Sequence, residues 1–284
     1  MSLEKNSAVS ASLSLSGDLP SALSAKEDIR NRTEDRKLSV FLDYDGTLTP
    51  IVERPELAVL SDEMRKTLKD LSSLCLVGIL SGRGLEDVKN LVNLDNLLYS
   101  GSHGFEIAPY GHRQFIQDKG EKFLPTLDLA EIALKRALKD IQGAVVERKK
   151  YSIAVHFRQV ADREIPKVEE HVDAVMAQQN LLHKSVGKKV FDLKPAVDWN
   201  KGKALGWILE KLGLDRPDIL PIYIGDDTTD EDAFREMARM GGIGILVRDP
   251  LSRPTHARFA LDSTDDVQLF LEFLIAASRK KLAG

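Results

Sequence analysis

Apolar residues early in the chain switch repeatedly between helical spacing and continuous runs. Two sets recur at intervals of three or four residues, which predicts one apolar helix face each: Met64, Leu68 and Leu71, and Leu85, Val88 and Val92. Between them, the run 74–80 is apolar almost throughout and predicts a buried strand. Alternation of this kind predicts an α/β fold, a Rossmann-like parallel sheet with helices on both faces.

The pattern changes between residues 108 and 194. A helix is predicted by Leu127, Leu134, Leu138 and Ile141, and it precedes two closely spaced strands. A second helix, from Ile165, Val168, Val172 and Val175, precedes another strand. Apolar Tyr151, Ile153, Val155 and Phe157 alternate with more polar residues, as in an antiparallel sheet that is covered on one face. We therefore expect an inserted α/β cap at 108–194 in a core made of 37–107 and 195–284.

Residues 1–36 differ in composition from the rest of the chain. They are rich in Ser and Ala, have few large apolar residues and show no regular period. The segment lacks the continuous apolar region of a secretory signal, and its acidic residues argue against a transit peptide. We predict a flexible N-terminal tail, with a helix that docks on a partner as the alternative.

Composition excludes several classes of function. The 284 residues include 44 acidic and 40 basic side chains, so the chain has no basic footprint for nucleic acid. No apolar stretch approaches the roughly 20 residues that a membrane-spanning helix needs. The single cysteine, Cys75, lies in an apolar run and excludes a disulfide framework. We expect a cytoplasmic protein.

The segment Phe41–Thr49 places two carboxylates where an apolar strand ends in a turn. Asp43 and Asp45 are two residues apart and so share one face of an extended chain. Gly46 lets the backbone turn sharply and present its N–H groups to an anion. This arrangement suits phosphoryl chemistry, in which one carboxylate attacks phosphorus and the other moves a proton. The alternative is an ordinary Asp-Gly turn.

Three further polar segments follow apolar runs or open a helix: Ser81–Gly84, Lys201–Lys203 and Gly225–Asp230. Ligands of parallel α/β sheets bind outside the carboxyl ends of the strands, which is where these segments fall. Two carboxylates that face a phosphate would repel it in a poorly hydrated site, so a cation is required. Oxygen ligands beside a phosphate favour Mg²⁺.

Together these segments resemble the motifs of the haloacid dehalogenase superfamily of phosphotransferases, from about Lys37 to the C-terminus. The chain more closely resembles the trehalose-6-phosphate phosphatase family. The matching segments are Phe41–Leu48, Gly101–Glu106, Trp199–Ala204 and Gly225–Phe234.

The resemblance assigns roles to individual residues. It implies that Asp43 is the nucleophile that becomes an aspartyl-phosphate and that Asp45 is the general acid and base. Ser81 and Lys201 are expected to hold the transferring phosphoryl group. The expected ligands of Mg²⁺ are Asp43, the backbone carbonyl of Asp45, and Asp226. Asp230 would orient a bound water or a neighbouring ligand, unless it only caps a helix.

Substrate recognition is expected to come from the cap. Glu147 and Lys149 lie two residues apart, as do His156 and Arg158, so each pair shares one face of its strand. A solvated sheet face and a sugar-binding face both fit this pattern. By resemblance, these four residues bind the sugar, and Gly82, Arg83 and His103 bind substrate from the core. Asp192 departs from the family pattern, which has Glu at that position, and this could change the preferred disaccharide.

The predicted function is Mg²⁺-dependent hydrolysis of trehalose 6-phosphate in trehalose biosynthesis. One alternative is another sugar phosphate as substrate, such as sucrose phosphate or a glucosylglycerol phosphate. A second is a regulatory sugar-phosphate-binding subunit, and a third is a phospho-accepting signalling receiver, which the length of the chain and the cap disfavour. We expect the chain to act alone or to assemble in trans with a trehalose-phosphate synthase.

Overall fold

The computed structural model describes residues 13–111, 120–187 and 189–283. Contacts within the chain divide the protein into two compact units. The first consists of Met1–Phe115 and Asn200–Gly284, and the second of Ile116–Trp199. The first unit is discontinuous in sequence and the second is inserted within it.

The first unit is built on a seven-stranded sheet and a separate antiparallel pair, β1 (Ser14–Leu15) with β12 (Pro254–Thr255). The strands of the large sheet are β2 (Lys37–Leu42), β3 (Leu76–Leu80), β4 (Leu98–Gly101), β5 (Glu106–Ile107), β10 (Ile219–Gly225), β11 (Ile243–Val247) and β13 (Phe259–Leu261). Their order is β13-β11-β10-β2-β3-β4-β5. Neighbouring strands are parallel, except that β5 runs antiparallel to β4. The predicted parallel sheet is confirmed.

Helices cover this sheet on both faces. They are α1 (Lys26–Thr33), α2 (Asp62–Ser72), α3 (Leu85–Val92), α6 (Lys201–Leu212), α7 (Glu231–Arg239) and α8 (Thr264–Ala283). Alternate residues of β2 face opposite sides, so Val40 and Leu42 pack in one apolar core and Phe41 packs in the other. The sheet is therefore buried on both faces, and polar groups concentrate where the strands end.

The second unit is a four-stranded antiparallel sheet with two helices. The strands are β6 (Val145–Lys149), β7 (Ser152–His156), β8 (Leu182–Gly187) and β9 (Val190–Pro195), in the order β6-β7-β9-β8. The helices are α4 (Leu124–Leu138) and α5 (Ile165–Met176), and their apolar faces pack on alternate sheet residues such as Ile153 and Leu193. The first predicted helix ends at Leu138, before Ile141. Two strands follow α5 instead of one, because Lys189 adopts φ 65° and turns the chain back.

The prediction of a flexible tail is wrong for residues 13–36. This segment forms β1, a 3-10 turn at Ser16–Asp18 and α1. Ala22 and Ile29 are fully buried in the core that also contains α8 residues, and the Ala22 N–H donates to the Ala260 carbonyl over 2.8 Å. A few apolar residues are enough to hold this segment in place, because they pack against a core formed by other parts of the chain. Residues 1–12 lie outside the described residues.

A cavity of about 830 Å³ lies at the amino ends of β2, β3 and β10 and is lined by Leu38, Cys75 and Ile219, among others. Ligand sites of parallel α/β sheets lie at the other edge, beyond the carboxyl ends of the strands. None of the predicted site residues lines this cavity.

Candidate active site

Asp43 follows the last residue of β2 at the carboxyl edge of the sheet. Its N–H donates to the carbonyl of Ile224 on β10 over 2.9 Å, which fixes it beside the end of that strand. The carboxylate is buried, and its Oδ1 accepts a hydrogen bond from Lys201 Nζ over 2.8 Å. Burial raises the pKa of Asp43 to about 7, although Lys201 opposes the shift. A partly desolvated carboxylate held by one cation is suited to nucleophilic attack.

Lys201 is the first residue of α6, and the start of this helix lies within reach of Asp43. Asn200 caps the helix by accepting the Lys203 N–H over 2.9 Å. The Lys201 ammonium is buried and donates to Asp43 Oδ1 over 2.8 Å and to Asp230 Oδ1 over 2.7 Å. Burial opposes its charge, but Asp230 and Asp43 outweigh that effect and raise the pKa of Lys201. Lys201 therefore stays protonated at neutral pH.

Asp226 and Asp230 follow β10, the strand next to β2. Carboxylate oxygens of Asp43, Asp226 and Asp230 lie within 4.8 Å of one another. Burial, with the charges of Asp43 and Asp230, raises the pKa of Asp226 to about 9. Three acidic groups this close, with one lysine among them, would carry an excess of negative charge if all were ionised, so the site favours a bound cation or proton.

Gly46 makes this close approach possible. Its φ is +81°, which glycine adopts without strain. A Cβ atom at this position would lie 2.0 Å from Asp226 Oδ2. The turn after Asp45 therefore packs directly against the carboxylate of Asp226, and only glycine fits there.

Asp45 lies two residues beyond Asp43, as predicted, and its carboxylate meets Arg83. Arg83 Nε and Nη2 donate to Asp45 Oδ2 and Oδ1, each over 2.7 Å, and Arg83 Nη1 donates to Asp87 Oδ2 over 3.2 Å. Sequence analysis predicts that Arg83 binds substrate. In the structure, the Arg83 guanidinium instead contacts Asp45, the residue proposed as general acid and base.

Ser81, Gly82 and His103 meet where β3 and β4 end. Ser81 is buried, and its Oγ accepts the Arg83 N–H over 3.1 Å. Ser102 and His103 adopt φ of 51° and 54°, an uncommon conformation for residues other than glycine. The His103 ring lies over Gly82, where a Cβ would come within 2.7 Å of it. The structure thus brings the predicted core residues together at one edge of the sheet.

The predicted cap residues lie in the second unit. Glu147 Oε2 and His156 Nε2 are joined by a hydrogen bond of 2.7 Å across β6 and β7. Lys149 ends β6 on the same face as Glu147. Arg158 lies beyond the end of β7, in an exposed turn, and so is not part of the strand face.

The sequences of several known proteins align with most of this chain. The family model for trehalose-phosphatase matches residues 41–265. The chain belongs to the trehalose-phosphatase family. It is 40% identical over 277 residues to "Probable trehalose-phosphate phosphatase 2" of Oryza sativa subsp. japonica, a match that covers 90% of this chain and 72% of the relative. "Trehalose-phosphate phosphatase B" of Arabidopsis thaliana is 37% identical over 271 residues, with 92% and 72% covered.

The fold of this chain is also similar to that of a solved structure. A crystal structure of a "trehalose-6-phosphate phosphatase related protein" matches with a TM-score of 0.73 and 26% identity, over 86% of this chain and 100% of that chain. The fold is therefore the haloacid dehalogenase type of trehalose-phosphatases. Among the described residues, no helix is sufficiently long and apolar to span a membrane.

The acidic residues at the carboxyl edge of the sheet, Asp43, Asp226 and Asp230, fit a divalent cation. They are not equally suited to be its ligands. Asp226 is partly exposed and lies close enough to Asp43 for its pKa to rise, so a shared cation would relieve their repulsion. Asp230 is fully buried, and each of its oxygens already accepts two hydrogen bonds. The geometry therefore favours Asp43 and Asp226 as metal ligands over Asp230, although sequence analysis predicts Asp230 as part of the metal site.

Two residues of the site were missed by sequence reasoning. Tyr223 Oη donates to Asp230 Oδ1 over 2.6 Å, and Arg253 Nη2 donates to the Asp226 carbonyl over 3.0 Å. Arg253 also pairs with Glu231, so it braces the loop after β10. For Tyr223 a signal existed, because a lone hydroxyl in the apolar run 219–224 requires a buried partner. For Arg253 the sequence carries no such signal.

Proposed function

We propose that this chain hydrolyses trehalose 6-phosphate to trehalose and inorganic phosphate through an aspartyl-phosphate on Asp43. The observation that carries the proposal is the buried contact between Asp43 and Lys201 beside Asp226, within a chain of the trehalose-phosphatase family. A carboxylate, a fixed cation and a second acid are what a phosphoryl transfer requires at one point.

In the first step, a carboxylate oxygen of Asp43 attacks phosphorus and the bond from phosphorus to the sugar oxygen breaks. Asp45, which enters this step protonated, gives its proton to the leaving sugar oxygen and is left as a carboxylate. In the second step, water attacks the phosphorus of the acyl phosphate while Asp45 takes a proton from that water. Inorganic phosphate leaves, Asp43 is again a carboxylate and Asp45 is again a protonated carboxyl group.

The surrounding groups hold charge and geometry through these steps. Lys201 lowers the repulsion between Asp43 and a phosphate dianion, and the Ser81 hydroxyl with the Gly82 N–H is proposed to hold a phosphoryl oxygen. Arg83 fixes the direction in which Asp45 presents its oxygens. Asp43, the Asp45 carbonyl and Asp226 would hold Mg²⁺, which supplies positive charge to the transferring phosphoryl group.

We also propose that the second unit recognises the sugar. Glu147, Lys149 and His156 share the face of the sheet opposite α4 and α5, and Asp192 lies in the same cross-strand row as Glu147. Such a face offers the donors and acceptors that sugar hydroxyls need. The proposed role of Arg158 rests on resemblance alone, as does that of His103. Assembly with a trehalose-phosphate synthase and a cytoplasmic location stay predictions.

The test is phosphate release with Mg²⁺ from trehalose 6-phosphate, sucrose 6-phosphate, glucose 6-phosphate and a glucosylglycerol phosphate, with Asp43→Asn as the blank. We expect strong preference for trehalose 6-phosphate, and no turnover by Asp43→Asn although it folds. More than a few per cent of activity in Asp43→Asn would refute the nucleophile. Preference for another sugar phosphate would refute the substrate, and no release from any compound would favour a regulatory sugar-phosphate-binding protein.

A further inference from the structure

Tyr223 places a hydroxyl group in the middle of an otherwise apolar strand. All seven residues of β10 are buried, and Tyr223 is itself 0% exposed. Its ring packs edge-on against Phe234, with centroids 5.8 Å apart and an interplanar angle of 70°. The ring cannot move without disturbing this packing, so the position of the hydroxyl is fixed.

The hydroxyl is directed at one carboxylate oxygen. Tyr223 Oη donates to Asp230 Oδ1 over 2.6 Å, a short bond of the kind that a charged acceptor makes. The same Oδ1 accepts Lys201 Nζ over 2.7 Å, while Oδ2 accepts the N–H groups of Asp226 and Asp227, each over 3.0 Å. The Asp230 carboxylate is thus held at both oxygens and cannot rotate freely.

Lys201 depends on this carboxylate for its position. A lysine side chain is a flexible stem with a point charge, and it has no preferred direction of its own. Here two carboxylate oxygens set the direction, Asp43 Oδ1 over 2.8 Å and Asp230 Oδ1 over 2.7 Å. Without the hydroxyl, Asp230 Oδ1 would carry more unshared charge and would draw Lys201 away from Asp43.

We propose that Tyr223 is a positioning residue for phosphoryl transfer: its hydroxyl fixes Asp230 Oδ1 and thereby holds Lys201 on Asp43. The proposal rests on the proposed function, because it assumes that Asp43 is the attacking group. Tyr223 acts through Asp230 and Lys201 and does not touch the substrate.

The first test is Tyr223→Phe, which deletes the hydroxyl and keeps the packed ring. We expect kcat to fall about 10- to 100-fold while KM changes less than about twofold, because Lys201 acts on the transferring group and a small displacement is costly there. The matched control is Tyr99→Phe. Tyr99 is also buried and donates to the Leu94 carbonyl over 2.7 Å, away from the site. We expect this variant to keep its kcat.

A double-mutant cycle separates positioning from loss of stability. In an Asp230→Ala background, Tyr223→Phe should lower kcat by less than about twofold further, because the carboxylate through which it acts has been removed. An undiminished loss in that background would refute the proposal. So would a kcat for Tyr223→Phe within about twofold of the wild type, or an equal loss in Tyr99→Phe.

A readout without turnover keeps this inference separate from the proposed function. The Nζ resonance of Lys201 in protein labelled with ¹⁵N-lysine is identified by its loss in Lys201→Arg. We expect Tyr223→Phe to shift or broaden it and Tyr99→Phe to leave it unchanged. If the wild type releases no phosphate, the proposed function fails while this spectrum still reports on the hydrogen-bonded chain. An unchanged Lys201 resonance in Tyr223→Phe would overturn the inference.

Discussion

Arg83 holds Asp45 through two parallel hydrogen bonds of 2.7 Å, from Nε to Oδ2 and from Nη2 to Oδ1. The Arg83 side chain is only 10% exposed, and its guanidinium lies 5.3 Å from the centroid of the Tyr44 ring. A planar, two-pronged contact of this kind fixes the direction of the carboxylate as well as its place. Arg83 therefore fixes the direction of both oxygens of Asp45, the residue proposed as general acid and base.

Arg83→Lys should lower kcat by about 10- to 100-fold, because an ammonium group keeps the charge and cannot fix both oxygens of Asp45. Steady-state kinetics with trehalose 6-phosphate would measure it. The matched control is Arg30→Lys, which changes an exposed ion pair with Glu27 on α1. Equal activities of Arg83→Lys and Arg30→Lys would contradict this role for Arg83.

Gly46→Ala should destabilise the fold and abolish activity. The new methyl group meets positive φ and a clash with Asp226 Oδ2 at 2.0 Å, and we expect a loss of about 1–3 kcal/mol in the free energy of unfolding, measured in urea. Gly241→Ala is the control, since Gly241 also has positive φ but a Cβ there would meet nothing within 4 Å. If both variants lose the same amount, the contact with Asp226 contributes nothing.

Residues 13–36 should contribute to the stability of the first unit. Ile29 is fully buried on α1, so Ile29→Ala should lower the free energy of unfolding by about 2–5 kcal/mol. Leu269→Ala on α8 removes a side chain that is 51% exposed and should cost within about 0.5 kcal/mol. Similar urea midpoints for Ile29→Ala and the wild type would restore the tail interpretation.

Sequence reasoning succeeded where one local pattern decides the outcome. Asp43, Ser81 and Asp226 could be placed together because each follows an apolar run, and parallel strands end at one edge. The Arg83 contact with Asp45 spans 38 residues and depends on side-chain directions that no spacing encodes. Ile29 was missed for a related reason, since its burial depends on packing against a distant part of the chain.

The Cys75 thiol should react slowly and with a steep dependence on pH. Burial raises the pKa of Cys75 to about 12, so at pH 8 the reaction with a disulfide reagent should be about 10³-fold slower than in urea-unfolded protein. The rate should rise about tenfold for each pH unit, since only the thiolate reacts. The unfolded thiol ionises first, so this group's contribution to stability is full below about pH 8.5 and decreases as pH rises towards 12.

Cys75→Ser provides the blank, because the chain has no other cysteine. Fast labelling of the native protein at pH 8, or a rate that does not change with pH, would show that the thiol is not protected by burial.

Mg²⁺ should stabilise the protein. Asp226→Asn should raise the melting temperature of the metal-free protein. A ligand that binds only the folded state raises stability with its concentration, so saturating Mg²⁺ should raise Tm by about 5 °C over EDTA. Asp226→Asn removes one of three neighbouring acidic groups whose negative charges repel one another. Its Tm in EDTA should therefore exceed that of the wild type, while its response to Mg²⁺ should disappear.

Asp218→Asn is the control. Asp218 is an exposed residue at the amino end of β10, so this variant should keep the wild-type response to Mg²⁺. An undiminished Mg²⁺ shift in Asp226→Asn would exclude Asp226 as a ligand, and a lower Tm in EDTA would show that its carboxylate stabilises the fold by another contact.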